Sequence, residues 1–343
     1  MDTISTLYQL VQAAGCDYCI YDIGRRVTEI SKTEFEQFEN TQIPYPYPIQ
    51  KTARFALVYW PLGQTNNPYI WFMNLPLNEE SQVILASRNH FVAIIQEAMG
   101  GQITQGSEDK LPDNPYIKAP DAKKLAVVNA KLKQKLKLPP SKYLADCISY
   151  LSHQNWDNWQ NLAIQGWADL LVRLNDPKVN QLFDDGFFEF PAEMKTELAS
   201  LIEHEQLSRA AYRRIVRQLQ NKDLDKTEQV TLLRCLAGFS DDAEFNQYLT
   251  ELLSQEQTLD ADLLAVISAR CFAALGDPLL LSLYLEKIAA YPTDGLFEAL
   301  FTDLVAIPNI RRCIFALLQN PNALPKTREA LSKMVAGKYN AAH

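Results

Sequence analysis

The sequence predicts an α+β N-terminal domain followed by a larger all-α, HEAT- or armadillo-like helical stack, an α-solenoid. Three observations carry that prediction. Strand-like apolar runs stop before residue 80, every segment after residue 121 has helical periodicity, and the later helix joints repeat one capping chemistry. At 343 residues the chain exceeds one compact core, and 47% hydrophobic residues can furnish an interior for each part.

In order, Leu7, Leu10, Val11 and Ala14 fall at helical spacing, and Gly15 ends that helix. Residues 18–23 alternate and are rich in β-formers, with Gly24 turning the chain. Ser31 and Glu34 form a capping-box pattern that opens a short helix to about Phe38. Pro44-Tyr45-Pro46-Tyr47-Pro48 excludes helix, because alternate prolines fix φ and remove donors, so an extended segment is expected. Two strands follow at 54–60 and 69–75, then one amphipathic helix through Ile84, Phe91 and Ala98, stopped by Gly100-Gly101. This order of elements matches a thioredoxin-like core lacking its first strand, on order alone.

Residues 101–120, with three prolines and little to bury, are the expected linker between domains 1–100 and 121–343. Helices are expected at 121–137, 140–153, 156–175, 177–184, 191–204, 208–221, 226–238, 242–255, 260–275, 278–291, 294–306, 308–319 and 325–336. At Asp176-Pro177, Asp241-Asp242, Asp277-Pro278 and Asn320-Pro321 a small or polar residue is placed to cap the next helix. The last three joints lie 36 and 43 residues apart, the interval of stacked helix pairs.

The formal charge of −8 is uneven: −5 over 1–110, +6 over 111–142 and −9 over 143–343. An acidic chain is a poor nucleic-acid binder outside its one basic segment, 118–142. That segment has few aromatics for base stacking, and a solvated or self-docked helix face is the plainer reading. The first residues lack a basic cluster and an apolar run, so no secretion signal is expected, nor any membrane span. Six scattered cysteines then point to reduced thiols in the cytoplasm.

Cys16 and Cys19 have redox spacing, but on a strand they point to opposite faces and lack a helix N-terminus to lower a thiol pKa. No second ligand pair accompanies them, so neither a metal site nor a cofactor is expected. The four histidines show no ligand or catalytic spacing, and no catalytic residue can be named. Arg25 and Arg26 on a turn, with Tyr45, Tyr47 and Arg54 nearby, could hold a small anion or nucleotide; pairing with local acids is the plainer alternative. Trp156 and Trp159, with Trp167, could form a binding hot spot, or else the core of a helix hairpin. Arg209, Arg213, Arg214 and Arg217 line one helix face and invite the same two readings.

Ala14-Gly15-Cys16, Asp22-Ile23-Gly24-Arg25-Arg26, the Pro44 to Pro48 repeat, Ile70-Trp71-Phe72 and Trp159-Gln160-Asn161-Leu162-Ala163 carry a resemblance. Together they resemble an uncharacterised gammaproteobacterial family of similar length, a domain of unknown function, over essentially the whole chain. The resemblance implies a bacterial cytosolic protein and carries over no activity. The expectation is therefore a non-enzymatic protein-binding scaffold or adaptor with a protein partner. A small-anion or nucleotide module or enzyme near Arg25 and Arg26, and nucleic-acid binding through 118–142, are the alternatives. The oligomeric state stays open.

Overall fold

A computed structural model describes residues 4–99, 112–221 and 223–341. Its two compact units are Met1–Pro140 and Ser141–His343. The first is an α+β unit and the second an all-helical stack.

Unit one opens with α1 (Leu7–Ala13), capped by the Thr6 side chain. Gly15 follows with φ 68, a left-handed turn that glycine takes without strain. Strand β1 (Cys16–Asp22) then pairs antiparallel with β2 (Thr28–Ile30) and β3 (Thr52–Pro61), and β3 pairs with β4 (Tyr69–Pro76). The sheet order is β2-β1-β3-β4. Helix α2 (Lys32–Glu39) starts with the expected capping box of Ser31 and Glu34. Helix α3 (Leu85–Met99) follows the sheet, and α4 (Ala122–Lys135) closes the unit. Because β1 leads to β2 by a hairpin and the pairs are antiparallel, the parallel crossover of a thioredoxin core is absent among the described residues. Three residues in β2 are too few to show alternation in the sequence.

Alternation along the strands divides the sheet into two buried faces. Tyr18, Ile20, Phe55, Leu57, Trp71 and Met73 join Phe35, Phe38 and Phe91 of α2 and α3 in one core. Cys19, Tyr21, Ala56 and Val58 lie on the opposite face and are also buried. Across that second face runs α4: Lys124 Nζ donates to the carbonyls of Ile23 (2.6 Å) and Gly24 (2.7 Å), and Lys135 pairs with Glu29 of β2 at 2.5 Å. The compact units divide at Pro140, and α4 is held on the sheet of unit one. The Gly100-Gly101 stop and much of the expected linker lie outside the described residues.

Unit two is built of helix pairs: α5 (Tyr143–His153) with α6 (Ile164–Leu171), α7 (Pro177–Phe187) with α8 (Ala192–Ile202), and α9 (Arg209–Leu219) with α10 (Lys226–Cys235). The array continues with α11 (Ala243–Ser254) and α12 (Ala261–Arg270), α13 (Pro278–Ala289) and α14 (Leu296–Ala306), α15 (Pro308–Gln319) and α16 (Pro325–Ala341). Second members pack in a row, α6 on α8, α8 on α10, α10 on α12 and α12 on α14. First members do likewise at α5–α7, α11–α13 and α13–α15. Two such rows are the layers of an α-solenoid.

The expected capping chemistry is present at three of the four joints; at the fourth, Asn320 ends α15 and α16 begins only at Pro325. Asp176, Ser208, Asp225, Asp242, Asp260 and Asp277 each accept backbone N–H groups at a helix start. The caps that open successive pairs, at residues 176, 208, 242, 277 and 307, are 30–35 residues apart, a shorter period than the sequence joints suggest. The difference arises at Asn320, which lies between α15 and α16, inside a pair. The expected helix at 156–175 is also corrected. Gln154 and Asn158 take left-handed φ of 52 and 58, Trp159–Asn161 form a single 3-10 turn, and the helix begins at Ile164.

Buried charges tie neighbouring pairs together. Glu203, at the end of α8, is 1% exposed; it pairs with Arg234 of α10 and, at 2.9 Å, with Arg270 of α12. Glu286 of α13 accepts from Thr327 N (3.0 Å) and Thr327 Oγ1 (2.8 Å), capping the start of α16.

Candidate functional sites in the two units

The arginine turn at the end of β1 is mostly interior. Arg25 is fully buried, and its Nε and Nη2 donate to the Pro48 carbonyl at 3.0 and 2.8 Å. Tyr45 is also fully buried; its hydroxyl donates to Asp22 Oδ1 at 2.7 Å and its ring packs on Phe38 and Phe55. Tyr47 lies 6.4 Å from the Tyr45 ring. Asp22 further accepts from Gly24 N (3.2 Å) and Arg25 N (3.1 Å). Burial outweighs these bonds and pushes the Asp22 carboxyl up to about 6. The Pro-Tyr segment and the Arg25 turn are thereby clamped to each other, an arrangement that fixes backbone rather than presenting a guanidinium to solvent. Arg26 carries further interactions of its own.

The Arg54 backbone belongs to that clamp, its carbonyl accepting from the Tyr45 hydroxyl at 3.0 Å and from Ile23 N at 2.9 Å, while its side chain turns elsewhere. Arg54 lines a cavity of about 200 Å³ with Ile23, Met73, Asn74, Lys118, Asp121 and Lys124. The fold thus joins Arg54 to the Tyr45 segment through its backbone and to the basic segment through this cavity. Asn74, directly opposite Arg54 across β3 and β4, has a buried side-chain oxygen with no hydrogen-bond partner. It was legible only as the one amide in the apolar run of β4.

Burial disfavours the thiolate at both motif cysteines. Cys16 and Cys19 lie on opposite faces of β1, and burial raises both thiols, Cys19 to about 12. All six cysteines are free. Among the described residues no group of three His, Cys, Asp or Glu is placed to hold a metal ion, and no helix is long and apolar enough to cross a membrane.

In unit two, Trp156 and Trp167 meet Tyr150 and Phe190 at ring distances of 5.1 to 6.1 Å, sealing the first two helix pairs. Trp159 sits half-buried on the 3-10 turn, apart from that aromatic cluster. The α9 arginines mostly bridge to neighbours. Arg209 reaches Asp242 at 2.5 Å, Arg213 reaches Glu244 at 3.9 Å, and Arg214 lies 3.8 Å from the Phe188 ring centre.

The Arg209 and Arg213 bridges span α9 and α11, and beside them a trough opens. One stretch, about 260 Å³, is lined by Tyr212, Arg217, Gln220, Gln247, Tyr248 and Glu251. The next, about 530 Å³, shares Gln220, Tyr248 and Glu251 and adds Asn221, Gln229 and residues 255–257. A third, about 400 Å³, continues past Gln255 to Lys287 and Lys326. Tyr248 is 6% exposed, and its hydroxyl is buried without a hydrogen-bond partner. None of these glutamines stood out in the sequence, because their convergence depends on which helices become neighbours.

No curated protein and no solved structure matches the chain. A family model does, over residues 2–335, and the chain accordingly belongs to the family described as protein of unknown function (DUF3549).

Proposed function

We propose that the protein is a non-enzymatic adaptor of the bacterial cytosol, and that the α9–α11 trough holds an extended segment of a protein partner. One observation carries the reading: a continuous trough lined by amide side chains beside an unpartnered tyrosine hydroxyl. Each glutamine offers a donor and an acceptor, the pair that an extended main chain needs from its host. Stacked helix pairs supply such a surface without a deep, closed pocket. The six unpaired cysteines agree with a reducing compartment. The nucleic-acid alternative is weaker, since Lys124 and Lys135 of the basic segment are engaged within their own unit.

The test places a photo-crosslinking residue at Gln220, at Gln255 and, as control, at Leu62, which is 70% exposed in unit one. The first two should capture one segment of one partner, and Leu62 should not. A peptide of that segment should bind the purified protein and lose at least tenfold affinity to Arg217→Glu at unchanged Tm. Equal capture at all three positions, or a peptide indifferent to Arg217→Glu, would refute the trough.

A further inference from the structure

We infer that the cavity over β3 and β4 is a binding site for a small oxyanion, a phosphate or a carboxylate. This is independent of the adaptor reading, since it concerns unit one alone. The cavity collects Arg54, Lys118 and Lys124 against a single carboxylate, Asp121, in a chain whose formal charge is −8. Asp121 is already engaged as the cap of α4, its Oδ1 accepting from Lys123 N and Lys124 N at 3.0 Å each. Positive charge gathered in a concave site focuses the field on an incoming anion.

Hydrogen bonds hold these groups in place. Arg54 Nε donates to Thr52 Oγ1 at 3.1 Å and Nη2 to Gln50 Oε1 at 2.9 Å. These bonds orient the guanidinium plane; among the described contacts its Nη1 makes no hydrogen bond. Lys118 is placed by the backbone, its N–H donating to the Phe72 carbonyl at 2.9 Å while Ile117 bridges to Met73. Lys124 is anchored on the carbonyls of Ile23 and Gly24. Two stretches of chain distant in sequence, the β3–β4 pair and residues 118–124, therefore converge on one cavity.

Asn74 is the independent indication of a ligand. A buried polar atom left without a partner costs about 1–3 kcal/mol, so such atoms are rare unless something else satisfies them. A half-turn of the amide presents its NH₂ in place of its oxygen, which supplies a neutral donor beside the Arg54 charge. A volume of about 200 Å³ admits inorganic phosphate or a short dicarboxylate and excludes a nucleotide held along its whole length.

Calorimetric titration of the full chain with inorganic phosphate and, separately, with malonate at low salt tests the site. One of the two should bind, and the one that binds names the oxyanion. Arg54→Gln should weaken it at least tenfold, while Lys123→Gln, in the same basic segment but outside the cavity lining, should leave it within twofold. Should Arg54→Gln not fold, Lys118→Gln takes its place, with a loss of severalfold expected from an exposed cation. Absence of binding by both anions, or equal loss in Lys123→Gln, would overturn the site and leave only diffuse surface charge.

Discussion

Single residues in this protein are governed by what burial does to charge. Glu39 at the end of α2 caps α1, accepting from the Leu7 and Tyr8 N–H groups, yet burial pushes its carboxyl up to about 7. Its unfolded value is about 4.3. Between those two values the folded chain keeps a proton that the unfolded chain has released, so stability falls as pH rises through this window. Asp22, raised to about 6 by burial, acts in the same direction from an unfolded value of about 3.9. Glu39→Gln keeps an acceptor for α1 and removes the titration. Urea midpoints measured at pH 4.5 and 7.5 should differ less in the variant than in the parent; an unchanged difference would place the effect elsewhere. Residue-level features tied to local rules were legible in the sequence: the capping box at Ser31, the aspartate caps and the opposed faces of Cys16 and Cys19. Asn74 and Tyr248 were not, because an unmet hydrogen bond is a property of the assembled surroundings.

At the scale of elements, helices were legible where one apolar stripe met clear caps. Helix α15 falls at the expected 308–319. Around Trp156 and Trp159 the apolar spacing imitated a helix that the left-handed Gln154 and Asn158 interrupt. The α5–α6 packing shows why that interruption matters. A Cβ on Gly166 would stand 2.5 Å from the Tyr143 carbonyl oxygen and 2.8 Å from Cys147 Sγ. Alanine is the better helix former by about 1 kcal/mol, but overpacking against backbone costs about 1–3 kcal/mol, and the clash wins. Gly166→Ala should therefore lower the unfolding free energy by about 1–2 kcal/mol, read by chemical denaturation. A stabilised variant would mean that the two helices part readily.

For the whole molecule, a small sheet followed by a stack of helices was legible from periodicity, while the place of α4 on the sheet and the pairing of rows were not. Row contacts depend on which side of each helix meets its second neighbour, and no local spacing encodes that. The Glu203, Arg234 and Arg270 cluster fixes this order by joining the ends of α8, α10 and α12. Solenoid stability is ordinarily a sum of nearest-neighbour terms. Here one carboxylate spans three helices of the same row. Glu203→Ala leaves two arginines facing each other; with both partly exposed, about 2 kcal/mol of destabilisation is expected. The urea transition should also broaden as the repeats uncouple. A transition that shifts without broadening would limit the cluster to stability alone.

The position of α4 also sets a timetable. Strands β1 to β4 leave the ribosome first, and α3 can close one side of their sheet soon afterwards. The other side, with Cys19, Tyr21, Ala56 and Val58, must wait until Lys124 and Lys135 have emerged. Throughout that delay the nascent chain carries an open apolar surface. The basic helix is thus the last piece of its unit to be made, and its arrival converts a sticky half-sandwich into a finished domain before the first helix pair of the stack is complete.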